Sequence, residues 1–183
     1  MKQRKEWHWD EFALTGTDFH KTEEVDSYVQ RVLGNIDCQS FAQMIAGKLE
    51  LNKEMTLIDL GSGPGILSIE YAKRAGHVYA VDISDTMLDY SRSKAQEAGI
   101  DNISFIKSGF LSYEQSEPAD RAVSQKALHH LPDFWKTEAL INLNRNLKMG
   151  GLFFLDDVIF SFEATEYEEN FKSWIENTVT AFG

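Results

Sequence analysis

The sequence predicts an α/β fold in which a doubly wound, mainly parallel β-sheet is covered by helices on both faces. Short apolar segments alternate along the chain with longer segments of helical periodicity, and strands that alternate with helices form parallel sheets. The length of 183 residues and the 43% of hydrophobic residues suit a single domain with its own core. The predicted strands lie near residues 55–60, 77–82, 102–107, 119–124 and 151–159, and the helices that follow the first strand lie near 64–75, 85–98, 132–147 and 163–180.

An aromatic arm and two helices precede the predicted sheet. Residues 7–19 are rich in aromatic side chains but show no sustained hydrophobic period, which indicates an irregular segment. Thr22 is a candidate N-cap for a helix whose apolar positions in 25–33 recur at i, i+3, i+4, i+7 and i+8, and residues 38–49 repeat that pattern. We therefore divide the single domain 1–183 into the arm with two helices (1–50), a central core (51–160) and a C-terminal helix (161–183).

Glycine and proline positions support these boundaries. Gly76 and Gly99 stand where the C′ residue of a helix belongs, a position whose left-handed backbone favours glycine. Pro132 suits the first turn of the next helix, because its missing N–H would have no partner there. The turn residues and the hydrophobic pattern thus predict the same segments.

The segment 55–65, Met-Thr-Leu-Ile-Asp-Leu-Gly-Ser-Gly-Pro-Gly, carries the strongest functional signal. An apolar strand leads into three glycines at alternate positions. Glycine has no Cβ and tolerates positive φ, so backbone N–H groups and the next helix N-terminus can line a cleft there. A second strand ends in Asp82, 21 positions after Gly61, close to the spacing at which an acidic residue meets a ribose in nucleotide-binding βαβ units. Together these features predict a ligand that contains adenosine.

The residue after the glycine turn argues against a dinucleotide. The fingerprint G-x-G-x-x-G requires glycine where this chain has Ile66, and a branched side chain there opposes the close helix packing that pyrophosphate binding needs. An NAD-dependent oxidoreductase is therefore an alternative rather than the leading prediction. A non-catalytic module that only binds a cofactor or a partner is a second alternative.

Five segments resemble, in order and spacing, the motifs of class I S-adenosylmethionine-dependent methyltransferases. The first is Ile58-Asp59-Leu60-Gly61-Ser62-Gly63-Pro64-Gly65, the second is Asp82, and the later ones are 103–110, 127–133 and 147–152, so the resemblance covers about residues 25–160. It implies a Rossmann-like fold, S-adenosylmethionine as cofactor with S-adenosylhomocysteine as product, and a methyltransferase activity. It does not specify the methyl acceptor.

The same resemblance implies that the sheet lacks the last two strands of this fold. Class I domains normally add two strands after the helix that matches 163–180, whereas this chain stops at Gly183. We expect either a truncated form of a longer protein or an edge completed by a partner. The strand 151–159 would then be an apolar edge, which natural proteins cover or charge. We expect a homodimer, or cover by the last helix, whose apolar face comprises Tyr167, Phe171, Trp174 and Ile175.

Most candidate cofactor-binding residues come from the resemblance. It matches Asp82 to the acceptor for the ribose hydroxyls, and Ile83 then presents an apolar surface to the adenine. Asp59 lies inside an apolar strand, where an unpaired carboxylate costs several kcal/mol, so it needs partners in the glycine loop or in the ligand, or serves only to brace the loop. Where the family usually has an adenine-binding acidic residue, this chain has Ser108-Gly109-Phe110, so we expect the backbone of Gly109 and Phe110 to hydrogen-bond the base edge and the Phe110 ring to pack against the adenine. The predicted set is Asp59, Gly61, Ser62, Gly63, Gly65, Asp82, Ile83, Gly109, Phe110 and Ser124.

The candidate catalytic residues are His129 and His130, which follow the fourth strand together with Lys126, a candidate substrate or lid residue. Ligands bind at this end of open α/β sheets, and a histidine with its ordinary pKa of about 6.5 can act as a base at neutral pH. Positioning or packing is the alternative role for each histidine. Phe12 and Phe19 of the arm are predicted to form a lid that offers ring faces to the cofactor cation, or else to cap the core. No metal site is predicted.

The composition excludes several classes of partner. A formal net charge of −11 and a pI near 4.9 oppose nucleic-acid binding, which normally needs a basic surface, and so favour a small-molecule acceptor. No apolar run approaches the roughly 20 residues of a membrane span, and no signal-like segment is recognisable. The single Cys38 fits a reducing compartment, and we expect a cytoplasmic protein without a membrane partner.

Overall fold

The computed structural model describes residues 7–13, 18–30, 37–158 and 162–182. The strands are β1 (Thr56–Leu60), β2 (His77–Asp82), β3 (Ile103–Lys107), β4 (Ala119–Gln125) and β5 (Leu147–Asp156). The helices are α1 (Thr22–Tyr28), α2 (Cys38–Lys48), α3 (Ile66–Ala72), α4 (Asp85–Glu97), α5 (Asp133–Asn146) and α6 (Tyr167–Phe182), with short 3₁₀ turns at Leu128–His130 and Ala164–Glu166. The predicted helical positions Val32 and Leu33 and the predicted strand end at Ile159 lie outside the described residues.

The five described strands form one parallel sheet in the order β3-β2-β1-β4-β5. The chain builds outward from β1 to β3 and then returns to the other side of β1 to add β4 and β5. The carboxyl ends of β1 and β4 therefore flank a switch point of the topology, where ligands bind in open α/β sheets. This order confirms the predicted Rossmann-like, doubly wound sheet.

Neighbouring side chains of β1 belong to different cores, one on each face of the sheet. Leu57 packs with Tyr71 of α3 and with residues of α2. Ile58 packs on the opposite face with Leu143 of α5 and with Tyr113. All of these side chains are almost fully buried, so hydrophobic burial on both faces holds β1 at the centre of the fold.

The N-terminal helices begin in different ways. Thr22 was the predicted N-cap of α1, but it is the first residue of the helix. The N-cap is Lys21, whose side chain makes no capping hydrogen bond. α2 has a regular cap, because the Asp37 carboxylate accepts a hydrogen bond from the Ser40 amide at 3.0 Å. The sequence pattern therefore located α1 correctly and misplaced its start by one residue.

The helix boundaries predicted from glycine and proline are confirmed in part. Gly99 has φ 67° directly after α4, as predicted for a C′ residue. Gly76 is not left-handed, and α3 ends four residues earlier, at Ala72. A Cβ at Gly76 would lie 2.5 Å from the carbonyl oxygen of Lys53, so glycine is needed there for a close approach of two backbone segments. Pro132 is the N-cap of α5 and directly precedes its first residue.

β5 begins at Leu147, earlier than the predicted start at 151. The pair Gly150 and Gly151 is typical of a turn, which led the prediction to place a boundary there. In the structure Gly150 has φ 78° inside the strand, and the register with β4 shifts across this stretch. The glycines therefore form an irregular stretch within a continuous edge strand.

β5 is an edge of the described sheet, where it pairs with β4. Leu152 and Leu155 on this strand are 40% and 39% exposed. Trp174 and Ile175 of α6 are also 46% and 53% exposed, so cover by α6 does not account for these side chains. The homodimer stays a prediction.

Candidate active site

A cleft lies at the carboxyl ends of β1 to β4, and residues at the end of each of these strands or in the loop that follows it line this cleft. The predicted residues that line it are Phe12, Phe19, Gly61, Gly63, Asp82, Ile83, Gly109, Phe110, Lys126 and His130. The predicted residues that do not line it are Asp59, Ser62, Gly65, Ser124 and His129.

The three glycines of the first loop all have positive φ, but the space around Gly63 differs from that around Gly61 and Gly65. A Cβ at Gly61 would overlap the side chain of Ala127, and one at Gly65 would overlap Ser91 of α4. A Cβ at Gly63 would meet no protein atom within 4 Å. Gly61 and Gly65 thus allow close packing of protein segments, whereas Gly63 faces the open space of the cleft.

The carboxylate of Asp82 forms a hydrogen bond with the glycine loop. Its Oδ2 accepts a hydrogen bond from the Gly63 amide at 2.8 Å, and its Oδ1 accepts one from the Ser84 amide at 2.9 Å. Burial raises the pKa of this carboxyl, although the amide hydrogen bonds oppose the rise. Ser84 caps α4 by accepting a hydrogen bond from the Met87 amide at 3.2 Å, so Asp82 does not serve as the cap and faces the cleft.

Asp59 lies behind the loop instead of in the cleft. It is 3% exposed, and its Oδ2 accepts a hydrogen bond from the Ser68 hydroxyl at 2.5 Å. Burial raises the pKa of Asp59 to about 7, and the nearby charge of Asp82 adds to the rise. This arrangement matches the bracing alternative, because Asp59 connects β1 to α3 across the loop.

Two predicted serines are buried near the loop. The Ser62 amide donates to the Val81 carbonyl at 3.0 Å, which ties the loop to β2. The hydroxyls of Ser62 and Ser124 are buried and have no hydrogen-bond partner among the described residues. Neither side chain lines the cleft, so both lie behind its wall.

Several backbone groups of the loop after β3 already form hydrogen bonds with other groups of the protein. The Gly109 amide donates to the Ser112 hydroxyl at 3.2 Å, and the Gly109 carbonyl accepts from the Tyr113 amide at 3.0 Å. Asn142 donates to the Phe110 carbonyl at 3.0 Å. Most backbone groups that were predicted to hydrogen-bond the edge of an adenine therefore already have partners within the protein, whereas the Phe110 ring can still pack against the base.

Glu11 of the arm reaches this loop, which the sequence analysis did not predict. Its Oε2 accepts a hydrogen bond from the Leu111 amide at 2.8 Å across 100 residues of chain. The only local signal is that Gly109 lacks a side chain, because a Cβ there would overlap the Glu11 carboxylate. That signal becomes readable only when the arm is seen in place.

The two candidate histidines face different surroundings. His129 Nδ1 lies 2.6 Å from Asp157 Oδ1, outside the lining of the cleft. Burial works to raise the pKa of Asp157, but hydrogen bonds from His129 and the Val158 amide outweigh it and hold the pKa below the ordinary value. His130 lines the cleft, and burial, together with the nearby His129, lowers its pKa below 6.5. Of the pair, His130 is therefore the neutral imidazole that a ligand can contact.

Lys126 adopts a conformation that few residues other than glycine adopt. Its φ is 51°, directly after β4, and its amide donates to the Asp156 carbonyl at 2.8 Å. Its ammonium group also lies 2.9 Å from the Asp156 carboxylate. Non-glycine residues with positive φ cluster at functional sites, and this one lies on the cleft wall.

The arm contributes Trp9, Phe12 and Phe19 to the lining of the cleft. The lid stays a prediction. The Ser84 hydroxyl donates to the Phe19 carbonyl at 2.6 Å and so fastens the arm to the start of α4. Trp7 does not line the cleft and is 67% exposed.

Two other kinds of site are absent from the residues that the structure describes. No cluster of three or more His, Cys, Asp or Glu side chains there is arranged to hold a metal ion. No helix within the same ranges is both long enough and apolar enough to span a bilayer. The described site is thus built from backbone amides, carboxylates, imidazole and aromatic rings.

Comparison with known proteins identifies the family. The model of a family described as a methyltransferase domain matches residues 51–181. A probable cobalt-precorrin-6B C(15)-methyltransferase (decarboxylating) of Methanocaldococcus jannaschii is 30% identical over 82 residues, which are 45% of this chain and 45% of the relative. A ribosomal RNA small subunit methyltransferase A of Dehalococcoides mccartyi is 31% identical over 103 residues, 56% of this chain and 34% of the relative. The chain thus spans less than half the length of either relative.

A solved structure extends the likeness to nearly the whole chain. A protein of Methanococcus maripaludis, described as an S-adenosyl-L-methionine-dependent methyltransferase, superposes with a TM-score of 0.68 over 93% of this chain and 81% of that chain. At 21% identity this similarity shows the fold. Because the family model matches more than half of the sequence, the chain belongs to the methyltransferase domain family, with the Rossmann-like fold of class I methyltransferases and S-adenosylmethionine as the cofactor of that family.

Proposed function

We propose that this protein binds S-adenosylmethionine in the cleft and transfers its methyl group to a small-molecule acceptor. The observation that carries the proposal is the pairing of Gly63 with Asp82. The Gly63 amide fixes one oxygen of the Asp82 carboxylate at 2.8 Å, and the space in front of Gly63 is free of protein atoms. A fixed carboxylate beside an open glycine turn is suited to a ribose diol.

The chain's own residues would bind and orient the two reactants. Asp82 would accept hydrogen bonds from the ribose hydroxyls, and Ile83 and Phe110 would flank the adenine with apolar surface. When bound, S-adenosylmethionine supplies an activated methyl group on a sulfonium, which a nucleophile takes by in-line displacement. Holding the acceptor in near-attack geometry contributes about 7–11 kcal/mol in favourable intramolecular models, and Phe12 and Phe19 would help to exclude water.

His130 is the candidate general base for an acceptor that loses a proton. Its lowered pKa keeps the imidazole neutral at pH 7, as a base requires. His129, hydrogen-bonded to Asp157, would position the loop that carries His130. An acceptor whose nucleophile is already deprotonated would need only the positioning role.

The small acceptor is favoured over RNA by charge. A net charge of −11 repels a phosphate backbone, which nucleic-acid enzymes attract with basic surface. The named relatives act on both kinds of substrate, so their names do not decide between them. The aromatic side chains that the arm adds to the cleft lining also favour a compact acceptor.

Calorimetric titration with S-adenosylhomocysteine and with NAD tests the cofactor. We expect micromolar binding of S-adenosylhomocysteine and much weaker binding of NAD. Asp82→Ala should weaken the binding of S-adenosylhomocysteine, whereas the control Asp101→Ala, which removes an exposed carboxylate near the amino end of β3, should not. Equal affinity for NAD would favour the oxidoreductase alternative. Methyl transfer from labelled S-adenosylmethionine to a metabolite panel and to RNA then tests the reaction. Cofactor binding without any transfer would favour the non-catalytic module.

A further inference from the structure

The carboxylate of Glu11 lies in the cleft beside the loop that follows β3. Its Oε2 accepts from the Leu111 amide at 2.8 Å, and Glu11 lines the cleft together with Gly109 and Phe110. A carboxylate has about four acceptor positions, and no hydrogen bond among the described residues uses its second oxygen. Glu11 therefore brings hydrogen-bond acceptor capacity to this wall of the cleft.

Gly109 is shaped to admit this carboxylate. The three atoms nearest to a Cβ built at Gly109 all belong to Glu11, and the closest would overlap it. The φ of Gly109 is not in the left-handed region, so backbone conformation does not require glycine here. The carboxylate of Glu11 thus occupies the space that a side chain at position 109 would fill.

The position of Glu11 relative to Asp82 suggests which part of the ligand it meets. Asp82 ends β2, and β3, whose following loop Glu11 contacts, is the next strand outward in the sheet. In the proposed binding mode, a nucleoside whose ribose is held at Asp82 would place its base against Ile83 and Phe110, which line the same cleft as Glu11. The edge of that base would then face Glu11, while the carbonyls of Gly109 and Phe110 already accept hydrogen bonds from Tyr113 and from an asparagine of α5.

We infer that Glu11, from the arm, supplies the acceptor for the exocyclic 6-amino group of the adenine. The inference rests on the proposed function. A carboxylate accepts hydrogen bonds but donates none, so it favours a 6-amino purine and repels the carbonyl oxygen of a 6-oxo purine. Glu11 is thus a residue that selects the base, and the arm is part of the cofactor site.

The test compares S-adenosylhomocysteine with its 6-oxo analogue, S-inosylhomocysteine, by calorimetry on the full chain. We expect the wild type to prefer the amino ligand by about 10- to 100-fold, the size expected for one hydrogen bond to a charged group. Glu11→Ala should weaken the amino ligand by a similar factor and bring the ratio close to one. Glu11→Gln, whose amide can also donate, should improve binding of the oxo ligand. The exposed Glu54→Gln is the control and should change neither affinity.

Gly109→Ala provides a second, independent readout. The new methyl group should displace Glu11 and reproduce the loss of preference, yet have little further effect in the Glu11→Ala background. Equal weakening of both ligands by Glu11→Ala, with the ratio preserved, would show that Glu11 only fastens the arm and would overturn the inference. A wild type without preference would overturn it as well, whereas a wild type that binds neither ligand would refute the proposed function itself.

Discussion

Asp59→Asn offers a sharp test of the buried carboxylate behind the glycine loop. Asp59 is 3% exposed, and its recorded hydrogen bond comes from the Ser68 hydroxyl. Burial raises its pKa from 3.8 to about 7. The folded protein therefore holds a proton that the unfolded chain releases, and this contribution lowers stability as the pH rises from about 4 to 7. Asparagine keeps an acceptor for Ser68 and removes the ionisation.

The magnitude follows from that shift. Relative to the protonated reference, ionising a carboxyl with these two pKa values destabilises the fold by about 1.5 kcal/mol at pH 5 and about 4 kcal/mol at pH 8. The free energy of unfolding of Asp59→Asn, minus that of the wild type, should therefore increase by about 2–3 kcal/mol between these pH values. Burying the new amide donor costs about 1–3 kcal/mol at any pH and cancels in this comparison.

Urea unfolding followed by circular dichroism at pH 5, 6, 7 and 8 measures the difference. Ser68→Ala is the companion variant: it removes a hydrogen bond that lowers the pKa of Asp59, so the loss of stability should continue to higher pH. Parallel stability profiles for Asp59→Asn and the wild type would refute the reasoning, because they would mean that Asp59 is ionised without penalty.

Three other substitutions test the cleft. Asp82→Ala should weaken binding of S-adenosylhomocysteine by about 1–3 kcal/mol in calorimetry, since a charged acceptor for the ribose is lost; unchanged affinity with an intact fold would remove Asp82 from the site. Gly63→Val should abolish that binding, because its side chain would enter the space reserved for the ligand and resist a φ of 53°, and tight binding would contradict this. Once an acceptor is known, His130→Ala should reduce kcat by about 10²–10⁴-fold with little change in cofactor affinity. The wild-type rate should fall only below pH 6.5, where His130 becomes protonated. A rate that already falls as the pH is lowered toward 6.5 would assign the base to another residue.

The sequence predicted the fold well where local patterns determine it. Short apolar runs and helical periods predict the alternation of β1, β2 and β3 with α3 and α4, and Asp82 ends β2 as its spacing required. The prediction failed at Gly150, because a left-handed glycine inside an edge strand has the same local sequence as a turn. It also could not separate His129 from His130, since only the 3₁₀ turn determines which ring faces the cleft.

Glu11 illustrates the limit for the candidate site. Its contact with Leu111 joins positions 100 residues apart, and no period or motif in the arm marks it. The Asp59 carboxylate, in contrast, was recognisable because a charged residue in an apolar strand needs an explanation wherever it occurs. Local chemistry is therefore readable from sequence, whereas contacts made by an irregular segment depend on the path of the folded chain.

The fastening of the arm has a consequence for kinetics. Described hydrogen bonds hold it at the Leu111 amide, at the Ser84 hydroxyl and at the Thr86 hydroxyl, which donates to the His20 carbonyl at 2.9 Å. Each such bond contributes about 0.5–1.5 kcal/mol, so lifting the arm costs a few kcal/mol, a barrier that thermal motion crosses frequently. A product covered by the arm leaves only during such openings. Ordinary kcat values of about 1–10³ s⁻¹ correspond to barriers of about 13–17 kcal/mol, far above this cost, so we expect opening of the arm not to limit turnover and turnover not to change as solvent viscosity rises.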